Sequence, residues 1–115
     1  MGQPVVHFEI GSGKSEKAKK FYASLFGWDI QSHGPAMMIS TGSAEGIQGN
    51  IAQAETEPKN YVTIYVQVDD IVASLKQVKA LGGKTLVPAT EVPGMGNFAW
   101  FADLDGNAIG LWKSA

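Results

Sequence analysis

The chain is expected to be an α+β protein of two βαβββ modules, each a curved mixed sheet with its helix on the outer face. Three observations predict this. An alternating strand, an amphipathic helix and three further strand candidates follow one another, and then the same order begins again. A shift of 56 residues lays one half on the other, with His7 on Thr63, Phe8 on Ile64, Ile10 on Val66, Tyr22 on Val78, Leu25 on Leu81 and Gly27 on Gly83. Between the halves, residues 54–60 (AETEPKN) are polar, carry a proline and read as a linker. The expectation is a single domain over 1–115, with one module at about 4–53 and the other at about 61–115.

The elements follow in order. "PVVHFEI" alternates Val6, Phe8 and Ile10 against His7 and Glu9, the mark of a half-buried strand. Ser15 is placed to cap the helix that follows, in which Ala18, Phe21, Tyr22, Leu25 and Phe26 form one apolar stripe closed by Gly27. "WDIQS" and "AMMIS" read as strands around a turn at His33, Gly34 and Pro35, and "IQGNIAQ" as a fourth strand. In the second half "TIYVQV" alternates. Asp69 or Asp70 caps a helix that buries Ile71, Leu75, Val78 and Leu81, and Gly82 and Gly83 close it. "KTLVPATEV" is interrupted by proline, which predicts an irregular or edge strand, and "NFAWFA" and "NAIGLW" complete the set.

Composition narrows the function. Hydrophobic residues make up 44% and charged residues 17%, which is globular rather than disordered. Nine basic against eleven acidic residues give a net charge of −2 with no basic stripe, so nucleic acid is not an expected partner. No cysteine is present, which removes disulfides, thiolate metal sites and a Cys nucleophile. No apolar run reaches the roughly 18 residues of a membrane span, and no signal-peptide h-region opens the sequence. The expectation is a cytoplasmic protein with no membrane partner.

Strand alternation assigns the faces. Phe8, Ile10, Ile64, Val66, Val68, Ile109 and Leu111 are expected under the helices. His7, Glu9, Thr63, Tyr65, Gln67, Gly110 and Trp112 are expected on the open side, a polar and aromatic set suited to a ligand cup. An ordinary solvated face would also be polar; Trp112 and Tyr65 favour the cup. Gly110 raises a question of its own, because a strand face of alanine, glycine and an aromatic has made room for something.

Three stretches carry a family resemblance over essentially the whole chain: "HFEIGSGKSEKAKKFYASLFGWDI", "YVTIYVQVDDIVASLKQVKALGGK" and "FADLDGNAIGLW". They resemble the vicinal oxygen chelate superfamily of glyoxalases, bleomycin and fosfomycin resistance proteins and extradiol dioxygenases. The resemblance implies that metal-using members hold one divalent ion through His or Gln on the first strand of each module and Glu on the last. Carried over, His7 matches the first ligand, Thr63 stands at the second, and Gly110 stands where the closing Glu belongs. Aligning "GIQGN" with "AIGLW" puts Gln48 at the remaining position, with Asn50 as the alternative. Threonine and glycine do not replace imidazole and carboxylate, so neither a metal nor another cofactor is expected. Glu9 is the one nearby carboxylate that could supply a ligand instead.

Other motifs are weaker. "GSGKS" lacks the spacing of a phosphate loop, since Phe8 stands where its first glycine belongs. "DLDGN" places Gly106 too early for a calcium loop and reads as a turn. The functional expectation is a small-molecule-binding protein, similar to the bleomycin-resistance type. Gln48, Thr63, Tyr65, Gln67, Trp100, Gly110 and Trp112 line its site, and Met38 adds an adaptable contact. The alternative is a lyase or isomerase of the glyoxalase type, either metal-dependent or with His7 and Glu9 as an acid–base pair. The exposed sheet edges and the resemblance both imply a homodimer.

Overall fold

A computed structural model of the chain describes residues 2–33 and 36–115. The elements run β1 (Val5–Ser12), α1 (Ser15–Phe26), β2 (Asp29–His33), β3 (Ala36–Ser40), β4 (Gln48–Gln53), β5 (Tyr61–Gln67), α2 (Ile71–Ala80), β6 (Lys84–Val92), β7 (Gly96–Ala102) and β8 (Ala108–Ser114). Strand, helix and three strands therefore occur twice, in an α+β protein of mixed parallel and antiparallel pairing. The expected turn at Gly34 and Pro35 lies outside the described residues. Contacts divide the chain into a first unit, His7–Thr63, and a second unit formed by the stretch up to Val6 with Ile64–Ala115.

In the first unit the strand order is β2-β3-β4-β1. Strand β1 runs parallel to β4, while the β2–β3 and β3–β4 pairs are antiparallel. The core consists of Ile30, Met37, Ile39 and Ile51, with Phe8, Ile10, Trp28 and the helical Ala18, Tyr22 and Ala23 packed against it. The helix departs from the expected stripe, because Phe21, Leu25 and Phe26 are 60, 58 and 55% exposed. Tyr22 is the large side chain that packs inward, between the short Ala18 and Ala23. Phe26 instead meets Trp28 and Tyr22 ring to ring, 4.9 and 6.3 Å between centroids.

Ser15 does not cap this helix but is its first residue. Lys14 stands at the N-cap and makes no side-chain cap bond. Gln53 of β4 supplies the capping acceptor instead, its Oε1 accepting from the Ser15 N–H at 3.1 Å and from the Ser15 hydroxyl at 2.7 Å. Its Nε2 donates to the Gly13 carbonyl. A tertiary partner thus satisfies a backbone donor that the helix leaves open. Gly27 ends the helix in the left-handed region at φ 70°, its N–H bonded to the Ala23 carbonyl, as expected.

In the second unit the order is β5-β8-β7-β6, with β5 parallel to β8 and the other pairs antiparallel. Strand β6 lies at the end of this order, and its register with β7 shifts on both sides of Val87, beside Pro88. The proline cannot donate to the ladder, which is why the sequence marked this strand as irregular. Val68, Ile71, Ala99 and Leu111 form the core, with Val66, Leu75 and Phe101 against it. Leu81, expected on the buried side, is 70% exposed because the helix ends before it and it occupies the C-cap. Ile64, expected under the helices, is 36% exposed, whereas its neighbours Thr63 and Tyr65 are buried.

No helix among the described residues is long and apolar enough to cross a membrane. The "DLDGN" stretch is a turn closed on Asp103, whose Oδ1 accepts from the backbone of Asp105 and Asn107 while its Oδ2 accepts from the Asn107 amide. These bonds, that with the Asn107 side chain first, hold the Asp103 carboxyl below its ordinary range. Asp70 caps α2, its Oδ1 accepting from Ala73 N–H at 3.0 Å. Asp70→Ala is expected to lower unfolding stability by about 1 kcal/mol. Urea unfolding at neutral pH measures it, and an unchanged midpoint would remove the cap from the account.

Candidate functional site

In each unit one sheet face packs under the helix, and the other carries the polar and aromatic residues that the sequence marks as candidates. In the first unit the register sets His7 opposite Gln48 and Glu9 opposite Asn50, which in turn faces Met38 of β3. Alternation puts all five on the face opposite to Phe8, Ile10, Met37, Ile39 and Ile51. His7 is half-buried, and its Nε2 lies 2.7 Å from Oδ1 of Asn50. An amide oxygen only accepts, so this bond requires the proton on Nε2. Gln48 faces elsewhere in its bonding: its Oε1 accepts from the Thr41 N–H.

Glu9 is only 8% exposed, which corrects the expectation of an open polar face. Its Oε2 accepts a hydrogen bond from the hydroxyl of Tyr61. The Tyr61 phenol is raised well above its ordinary value, first by burial, then by the bond to Glu9 and then by the carboxylate charge. Glycine at position 11 admits the ring: a Cβ there would overlap the Tyr61 side chain. Thr63, two residues further along β5, is 4% exposed. Tyr61 also borders an open depression of about 410 Å³, whose other wall includes Ala18 and Tyr22 of α1.

In the second unit Tyr65, Gly110 and Trp100 stand in one row across β5, β8 and β7. Tyr65 is 7% exposed, and its ring occupies the space that a Cβ on Gly110 would need. The Trp100 Nε1–H donates to the Tyr65 hydroxyl at 2.9 Å. The space left by Gly110 is therefore filled by the chain's own tyrosine. The next row holds Gln67, Trp112 and Phe98. Trp112 is half-buried and donates from Nε1 to the Ser114 hydroxyl at 3.1 Å, while Gln67 is exposed. This row resolves the phase of Trp100, which lies on the same face as Gly110 and Trp112.

Sequence reasoning passed over Tyr61 and Phe98. Tyr61 was legible from period-two alternation, since it precedes Thr63 and Tyr65 in phase. The register also favours Asn50 over Gln48 as the counterpart of Gly110. Glu9 pairs with Asn50 as Tyr65 pairs with Gly110, and the repeat lays Glu9 on Tyr65.

The residues do not suit the divalent ion that the resemblance associates with metal-using members. Position 110 has no donor, Thr63 offers a hydroxyl, Gln48 is bonded to Thr41, and Glu9 is bonded to Tyr61. Among the described residues no group of three or more His, Cys, Asp or Glu side chains is placed to hold a metal.

The profile of the family described as "Glyoxalase/Bleomycin resistance protein/Dioxygenase superfamily" matches residues 5–111. A glyoxylase-like domain-containing protein of Didymella fabae is 33% identical over 108 residues, covering 86% of this chain and 84% of its own. The putative glyoxylase CFP32 of Mycobacterium bovis is 30% identical over 105 residues and covers 84% of this chain. This chain spans only 40% of that relative's length. Among solved structures, methylmalonyl-CoA epimerase from Mycobacterium tuberculosis superposes with a TM-score of 0.69 at 16% identity, covering 96% of this chain and 87% of that one. At that identity the likeness is one of fold.

The Glu9–Tyr61 bond makes a spectroscopic prediction. In an alkaline ultraviolet titration Tyr61 is expected to resist ionisation, and Glu9→Gln to lower the pH at which it ionises. The sign follows because the substitution removes a charge that opposes the phenolate, while burial remains. Identical titrations of the two proteins would show that the carboxylate does not govern this phenol.

Proposed function

Because the chain belongs to the glyoxalase/bleomycin resistance protein/dioxygenase superfamily, we propose that it binds a small organic molecule without a metal ion, on the aromatic face of its second unit. One observation carries this reading: the Tyr65–Gly110–Trp100 row. A solvated sheet face is ordinarily polar. Here a glycine admits a tyrosine ring, and that ring takes the hydrogen bond of a tryptophan. The result is a preset platform of aromatic surface, beside which Trp112 and Phe98 add further ring area and Gln67 a polar group. Holding the rings in place before binding lowers the ordering cost of association.

The experiment is a thermal-shift screen of planar aromatic compounds, followed by titration of tryptophan fluorescence. A compound that raises Tm is expected to lose roughly 1–3 kcal/mol of affinity in Trp112→Ala. Its affinity should be unchanged after dialysis against EDTA. Silence of both Trp112→Ala and Tyr65→Ala would place the site elsewhere, and loss of binding with EDTA would overturn the metal-independent reading.

A second reading, a lyase or isomerase using His7 and Glu9 as acid and base, is favoured by the buried carboxylate of Glu9 and by a relative named a putative glyoxylase. Turnover that survives Trp112→Ala but disappears in Glu9→Gln would select it; binding of the same compound without turnover would select the first.

Pairing of two chains, in the cytoplasm, belongs to the same proposal. The exposed Phe21, Leu25 and Phe26 of α1 support it as a surface that a second chain would cover. An interface on the order of 1,500 Å² is needed for a stable pair. Light scattering at micromolar concentration should give about twice the 12.2 kDa chain mass; a clean monomer mass would defeat the pairing.

A further inference from the structure

The charged residues on the strands of the second unit are Lys84, Glu91 and Lys113. The register sorts them by face, because directly paired residues of antiparallel strands point the same way. Glu91 and Lys113 both pair with Asn97, in phase with the core residues Ala99 and Leu111, on the helix side. Lys84 pairs with Ala102, which is in phase with Trp100 and Phe98. It therefore stands on the aromatic face, and it is the one charged strand residue of the unit that does.

The neighbours of Lys84 leave room beside it. Ala102 pairs in turn with Ala108, so Lys84, Ala102 and Ala108 form the row next to Trp100, Gly110 and Tyr65. Two strand residues separate the rows, roughly 7 Å. Both alanines end at Cβ, so a group lying over them meets nothing longer than a methyl before the lysine stem. Lys84 is exposed and, among the described residues, has no ion-pair partner. Asp103 follows Ala102 along the chain, but its carboxylate is taken up by Asp105 and Asn107 of its own turn. We propose that the ligand of this face is a planar aromatic acid, its ring on the Tyr65–Trp100 row and its carboxylate over the two alanines, paired with the Lys84 ammonium. A face that joins ring surface to a single cation complements a flat anion and selects it over neutral and cationic compounds of the same shape.

Lys84 thus adds a charge requirement to the aromatic platform, on whose reading as a small-molecule site the proposal rests. The test is calorimetric titration at neutral pH and low salt with two probes of one shape, naphthalene carboxylate and naphthalene carboxamide. The wild-type chain should bind the carboxylate about fivefold tighter, the upper range of an exposed ion pair. Added sodium chloride should narrow that preference. Lys84→Gln should abolish it and leave the carboxamide affinity unchanged, whereas Lys84→Arg should keep it. Lys113→Gln, on the helix side, should not alter it. Trp112→Ala should weaken both probes alike. Equal binding of the two probes by the wild-type chain, or a preference that survives Lys84→Gln, would overturn the inference and leave the platform standing. A preference lost equally in Lys113→Gln would also overturn it, since the chain's overall charge would then be responsible. Binding of neither probe would overturn the inference and the platform together.

Discussion

In each unit a tyrosine ring lies where a strand residue lacks a Cβ, and the chemistry of each face depends on that close approach. Tyr61 rests over Gly11 and Tyr65 over Gly110. A ring laid on a glycine gains contact that an added methyl would forfeit, since the methyl would force ring and backbone apart. The hydroxyls at the ends of these rings are then committed. That of Tyr61 donates to Glu9, and that of Tyr65 accepts from Trp100. Buried polar groups require such partners, so steric fit and hydrogen bonding select one arrangement together.

Two carboxyl groups in this chain sit in very different surroundings. Asp103 lies in an exposed turn and is stabilised as an anion by the donors of its own loop. Glu9 lies within the sheet face at 8% exposure and has a phenol as donor. Burial and the neighbouring Glu9 both hold the Tyr61 phenol well above its ordinary range, so the hydroxyl keeps its proton and remains the donor of the pair.

Much of the fold was legible because its signals are local. Asp70 precedes an apolar-periodic run and caps α2, Gly27 ends α1, and Pro88 disturbs β6 where a proline must. The failures came where a distant partner decides. Ser15 has the residue type of a cap, but Gln53, brought alongside by β4, takes the bond. The stripe of α1 correctly grouped residues three and four apart. Periodicity alone does not say which of them meets the sheet, and the small Ala18 and Ala23 around Tyr22 made that choice. Gly110 read as a vacancy because the sequence shows the missing Cβ but not the ring that fills its place from the neighbouring strand.

The repeat sharpens the last point. Glu9 and Asn50 in the first unit occupy the register positions of Tyr65 and Gly110 in the second. Equivalent backbone thus presents an acid and an amide in one unit, and an aromatic ring and a bare Cα in the other. Packing under the helices tolerates only apolar residues, so Ile10 and Val66 or Ile51 and Leu111 remain alike in kind. The opposite face carries no such demand, and there the two units differ in kind at these register positions. One carries two hydrogen-bonded polar pairs, His7 with Asn50 and Glu9 with Tyr61; the other carries Tyr65 bonded to Trp100 beside Gly110. Placing a carboxylate at position 110 would therefore require more than one substitution, because the room it needs is already taken by the Tyr65 ring, whose hydroxyl is bonded to Trp100.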